Sequence, residues 1–106
     1  MTDRQNPLPW VETGGGVSRR VLSHTPEVML VEFRFGPDGF GAPHHHPHIQ
    51  ATYVREGRFE FTIDGVAHIV SAGDTLIVPS NAVHSCRALE PGTLIDVFTP
   101  RRDDFL

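Results

Sequence analysis

The sequence predicts an all-β protein, an antiparallel sandwich or barrel, and three observations carry that expectation. Short β-branched and aromatic runs recur through the 106 residues at a spacing of roughly 8–12 residues. Clusters of Gly, Pro, Asn and Asp separate them and mark turns. Helix signals, with apolar residues every third and fourth position, are nearly missing.

Taken in order, residues 1–16 are rich in Pro and Gly and hold one large anchor, Trp10. They are expected to form an arm that packs on the barrel or on a second subunit. "SRRVL" and the longer "VMLVEFRF" (Val28 to Phe35) are the first strands, and "IQATYV" follows. "RFEFTID" alternates, with Phe59, Phe61 and Ile63 on one face and Arg58, Glu60 and Thr62 on the other. Asp64-Gly65 supplies a two-residue hairpin turn into "VAHIV". "TLIVP", "VHSCRAL" and "TLIDVF" complete about eight strands. The turns between them include "EG", "SAGD", "PSNA" and "EPG". Sheet edges need cover, so a homodimer is expected.

Composition narrows the function. A single domain is expected at this length, and the 39% apolar and 21% charged fractions are those of a globular chain. The net charge of −4 argues against nucleic acid or an anionic membrane as partner. No apolar run is long enough to span a bilayer. "MTDRQNPLPW" lacks the features of a signal peptide and Cys86 stands alone, so the cytoplasm is the expected compartment. All nine basic residues are arginine, which excludes Schiff-base chemistry on lysine.

"APHHHPHIQ" places four histidines in five positions, His44 to His48. The run is internal and interrupted by Pro47, unlike a purification tag; a solvated loop and a metal site are the remaining readings. Alternation along a strand puts His44 and His46 on one face, His45 on the other, and gives Gln50 the parity of the first pair. His84, after a Pro turn, would return over the barrel mouth. Three imidazoles and an amide oxygen suit a six-coordinate first-row ion with two open positions.

These spacings resemble the two motifs of the cupins. His44, His46, Gln50 and Gly57 stand as in the first, and Gly73, Pro79 and His84 as in the second. Asn81 and Ala88 depart from it at positions that are not ligands. The resemblance covers residues 33–99, leaving a tail at 100–106, and implies a small antiparallel jelly-roll barrel. It also implies that His44, His46, Gln50 and His84 bind one divalent first-row metal: Ni, Zn, Mn or Fe. A neutral Gln50 leaves the ion its full charge, which favours Lewis-acid work on an anionic substrate.

Asp96 lies in an apolar strand on the same face as Leu94 and Phe98. A buried carboxylate there implies a cation or a catalytic task; the plainer alternative is an ion pair with Arg101 or Arg102. "DVFTPRRDDFL" resembles the tail of the cupins of pectin degradation, which open 4,5-unsaturated uronates to the linear 5-keto-4-deoxyuronate. That resemblance implies active-site roles for Asp96, Phe98 and Arg102, and a small anionic sugar as partner. Asp96 would move the proton and Phe98 would wall the pocket. Arg102 would hold the sugar carboxylate or orient Asp96. Tyr53, Arg55 and Arg58 are further candidates for the pocket, as is His48 for its wall or a supporting hydrogen bond. An iron-dependent cupin dioxygenase and a non-catalytic small-molecule-binding cupin are the alternatives.

Overall fold

The computed structural model describes residues 4–106, whose regular structure is strand apart from one short 3-10 turn. Eight strands form, all pairing antiparallel: β1 (Val11–Gly14), β2 (Val17–Thr25), β3 (Val28–Phe35), β4 (Phe40–His44), β5 (Ile49–Ile63), β6 (Val66–Ser71), β7 (Thr75–Val78) and β8 (His84–Thr99). A 3-10 turn at Asp103–Phe105 follows. Among the described residues no helix is long and apolar enough to cross a membrane.

The division into strands differs from the one expected. "IQATYV" and "RFEFTI" are one strand, β5, and "VHSCRAL" and "TLIDVF" are one strand, β8. "EG" and "EPG" are corners rather than turns. Register slips between Val54 and Phe59 mark where β5 bends against β8. Gly57 (φ 88) takes the left-handed conformation there, and a Cβ on it would sit 2.6 Å from the Pro91 carbonyl oxygen. A Cβ on Gly92 would overlap the Glu56 carbonyl oxygen. Only glycine lets the two backbones cross so closely.

Bent in this way, β5 and β8 belong to two layers. Their ends at Ile49–Val54 and Thr93–Thr99 join β7, β3, β2 and β1; their ends at Phe59–Ile63 and His84–Ala88 join β6 and β4. The layers close on Val17, Phe35, Val54, Phe59, Phe61 and Leu94. A second cluster of Val21, Met29, Val31 and Phe98 fills the other end. This is the jelly-roll arrangement.

The Asp64-Gly65 hairpin forms with both residues at positive φ (48 and 81), as that turn requires. Of the expected arm, residues 1–3 lie outside the described residues. The remainder packs on its own chain: Leu8 N–H donates to the Val21 carbonyl at 2.8 Å, and β1 pairs with β2. Trp10 receives the Arg20 and Arg34 guanidinium groups on its ring, at 4.6 and 4.4 Å from the centroid.

Candidate metal centre and adjoining cavity

β4 and β8 pair so that His44 lies opposite His84. His46 stands beyond the end of β4, so strand alternation does not aim it. A neighbouring turn does. The N–H of Asn81, itself left-handed at φ 62, donates to the His46 carbonyl at 2.8 Å, and the Ser80 hydroxyl donates to the Pro47 carbonyl at 2.6 Å. One ring nitrogen from each of His44, His46 and His84 then falls within 4.8 Å of the other two. His45 is exposed and takes no part.

The hydrogen bonds assign the tautomers. Nδ1 of His44, His46 and His84 meets the carbonyl oxygens of Ala42, His48 and Ala82 at 2.8, 3.1 and 2.9 Å. A carbonyl only accepts, so each Nδ1 carries a proton, and in the neutral ring it is Nε2 that presents the lone pair. Burial lowers the pKa of His46, helped by the Arg102 charge, and brings His84 down to about 4, so both rings are neutral near pH 7.

Two features make this arrangement costly without a cation. His84 Nε2 is buried with no hydrogen-bond partner. His46 Nε2 faces Gln50 Oε1 at 3.2 Å, lone pair toward lone pair once Nδ1 holds the proton. The Gln50 amide cannot turn to relieve this at no cost, because its NH₂ donates to Thr52 Oγ1 at 3.0 Å. Three imidazoles and an amide oxygen are the ligand chemistry of a first-row divalent ion, and the residues fit one.

Thr52 passes the network on: its hydroxyl donates to Asp96 Oδ1 at 2.6 Å. Strand pairing sets this up, with Thr52 opposite Asp96 and Gln50 opposite Phe98 on β5 and β8. Asp96 is buried and makes no ion pair among the described residues. Burial raises its pKa to about 7, against the pull of the Thr52 hydrogen bond, the Arg102 charge and the Gln50 amide.

The alternative for Asp96, an ion pair with Arg101 or Arg102, is therefore not formed among the described residues. Arg102 gives Nε and Nη2 to Asp104 at 3.1 and 2.8 Å, which holds the Asp104 carboxyl below its usual range. Arg101 pairs with Asp103 at 2.7 Å. Both acids come two residues after their partners, a local geometry that a tail can satisfy without reaching into the barrel. Arg102 also lies over Phe105 and Phe98, 4.2 and 5.1 Å from their ring centroids.

A cavity of about 460 Å³ opens beside these groups, lined by His44, Gln50, His84, Asp96, Phe98 and Arg102 together with Arg19 and Phe105. Tyr53, Arg55 and Arg58 are exposed and do not line it. They occupy the outward positions of β5, and Arg55 reaches Glu32 instead, at 3.5 Å. His48 is half-buried beside Phe98 and lies outside that lining; its carbonyl fixes His46. Thr52 and Arg19 were not anticipated. Their strand parity was available: Thr52 matches Gln50, and Arg19 sits between inward Val17 and Val21.

Comparison with known proteins agrees with this geometry. The cupin domain family matches residues 31–98. The pectin degradation protein KdgF of Dickeya dadantii is 39% identical over 100 residues, covering 92% of this chain and 91% of the relative. The KdgF structure from Halomonas sp. superposes with a TM-score of 0.86 at 39% identity, over 93% of this chain and 92% of that one. An RmlC-like cupin from Shewanella frigidimarina gives 0.88 at 38%, over 92% and 88%. On the cupin match and these near-full-length likenesses, the chain belongs to the cupin family and, within it, to the group that holds the KdgF proteins.

Proposed function

We propose that the protein is a metal-dependent enzyme that opens 4,5-unsaturated uronate monosaccharides to linear 5-keto-4-deoxyuronates. The observation that carries this reading is the placement of buried Asp96 on the same cavity wall as the histidine cluster, joined to it through Thr52 and Gln50. The likeness to the KdgF proteins supports the substrate class.

His44, His46 and His84 through Nε2, and Gln50 through Oε1, would hold the ion. When bound, it supplies Lewis-acid polarisation of substrate oxygens. The linear product is an isomer of the ring. The hemiacetal hydroxyl loses its proton as C1 becomes an aldehyde and the C1–O5 bond breaks. The released enol oxygen becomes the C5 ketone as a proton arrives at C4, and no electrons pass to an outside reagent. Asp96, titrating near pH 7, can hold and release a proton at working pH. Thr52 fixes Oδ1, and Oδ2 of Asp96 would exchange the proton. Phe98 and Phe105 form an apolar wall. Arg102, held by Asp104, keeps the tail across the cavity and adds positive charge near Asp96.

Thr52→Val tests the coupling within this network. The Thr52 hydrogen bond lowers the Asp96 pKa, so its removal is expected to move the Asp96 limb of the rate–pH profile to higher pH with metal content unchanged. An unmoved limb would detach Asp96 from the rate. The reaction class is tested by nuclear magnetic resonance of the product formed in D₂O, with an oxygen electrode alongside. One deuteron at C4 of a linear ketone, without oxygen uptake, is the expected outcome. Oxygen uptake on an iron-loaded sample would instead support a dioxygenase.

A further inference from the structure

We propose that Arg19 is the residue that recognises the substrate carboxylate, a role that rests on the uronate reading above and deepens it. On β2 the inward positions run Val17, Arg19, Val21, and the two valines are core residues. An arginine between them is turned into the barrel, where it lines the cavity that also holds His44, Gln50, His84 and Asp96. Its guanidinium carbon lies 4.0 Å over the Phe105 ring, which covers one face of the plane and leaves the N–H edge to meet a ligand.

The other arginines nearby are already engaged. Arg102 uses Nε and Nη2 on Asp104, Arg101 uses Nε on Asp103, and Arg20 and Arg55 meet Glu32. Among the described residues, Arg19 makes no ion pair and no side-chain hydrogen bond. Burial lowers its pKa, and the Asp104 carboxylate that opposes this is spent on Arg102. A guanidinium stays charged in a protein, so a partly desolvated one without a partner sits where an anion is to arrive.

Its position suits a carboxylated ring. Arg19 pairs with Phe33, whereas Asp96 lies opposite Val31 one strand further on. The two are separated by two strand spacings and a two-residue offset along the strand, roughly 12 Å at the backbone, with both lining the cavity. A uronate bound with its carboxylate in the Arg19 fork would bring C4, two bonds from the carboxyl carbon, toward Asp96. Its hydroxyl edge would then face the imidazoles. The planar fork matches a carboxylate through two parallel hydrogen bonds.

The test uses the full chain, metal-loaded, as wild type, Arg19→Gln and Arg19→Lys. The readouts are KM and kcat for unsaturated galacturonate, and Kd for galacturonate and for galactose, which lacks the carboxylate. Arg19→Gln is expected to raise KM and the galacturonate Kd about 10–100-fold, the worth of a charge-assisted contact. kcat should change far less and galactose binding not at all, as for an interaction present in ground and transition states alike. Arg19→Lys should fall between. Arg19→Met replaces the glutamine variant should that fail to fold.

An unchanged KM in a folded, metal-loaded variant would overturn the proposal, as would equal losses for galacturonate and galactose. Should the wild type bind galacturonate through Arg19 yet leave the unsaturated sugar intact, the ring-opening reading falls and the anion site stands. Should it bind neither sugar, both fall.

Discussion

His84→Ala is expected to remove metal binding and ring opening together. Each ring of the cluster has committed Nδ1 to a backbone carbonyl, so none can swing to replace the lost Nε2. Two imidazoles and the Gln50 oxygen remain, too few to keep the ion against dialysis. Loss of Lewis-acid stabilisation worth several kcal/mol lowers the rate by about 10³-fold or more. Metal added to the wild type should raise its melting temperature by mass action, and that rise should vanish in the variant. His45→Ala is the control: the side chain is exposed, and metal content, stability and rate should match the wild type. A His84→Ala protein retaining one ion per chain would mean the ligands lie elsewhere.

Asp96→Asn is expected to leave fold and metal content intact while the rate drops by about 10²–10⁴-fold, the range for losing a general acid or base. The amide is isosteric and can still accept from Thr52, and no arginine is stranded, because Arg101 and Arg102 have partners of their own. Stability supplies a second readout with a definite sign. The folded pKa of Asp96 is raised to about 7 from 3.8. The folded state therefore holds the proton more tightly than the unfolded chain. That contribution is complete below pH 4 and is lost as pH climbs through about 7. The asparagine variant lacks this slope and should gain stability relative to the wild type above neutral pH. Denaturant midpoints at several pH values measure it. A variant with full activity would leave the mechanism without its proton carrier.

The fold class was legible because the β-branched run at Val28–Phe35 and the hairpin through Asp64-Gly65 survive into the structure as read, although β4 (Phe40–His44) was not among the expected strands. The merging of four short runs into β5 and β8 was not. Gly57 and Gly92 look in sequence like hairpin turns, and only the crossing of two distant backbones makes them corners. The meeting of His44, His46 and His84 follows their spacing, yet the orientation of His46 depends on hydrogen bonds from the Asn81 N–H and the Ser80 hydroxyl to the carbonyls of His46 and Pro47. Asp96 stood out as a carboxylate in an apolar strand. Its partner Thr52 is 44 residues away, and a threonine in a strand draws no notice. Arg19 had the parity of a core position, but an arginine beside Arg20 passes for a solvated pair. In the tail, Arg101 and Arg102 stood as alternative partners for Asp96, and pairing with Asp103 and Asp104 two residues on satisfied them locally.

The histidine–glutamine cluster and Asp96 are proposed to act as one site on an unsaturated uronate. The enol-ether absorbance of lyase-generated unsaturated galacturonate, followed while metal is titrated into chelator-stripped protein, tests this. The rate should begin at the uncatalysed level and rise in proportion to added metal. It should level off at one ion per chain, with the linear ketone as product. A stripped protein that turns over at full rate, or a fully loaded one that leaves the absorbance unchanged, would rule out a metal-dependent ring opening at this site.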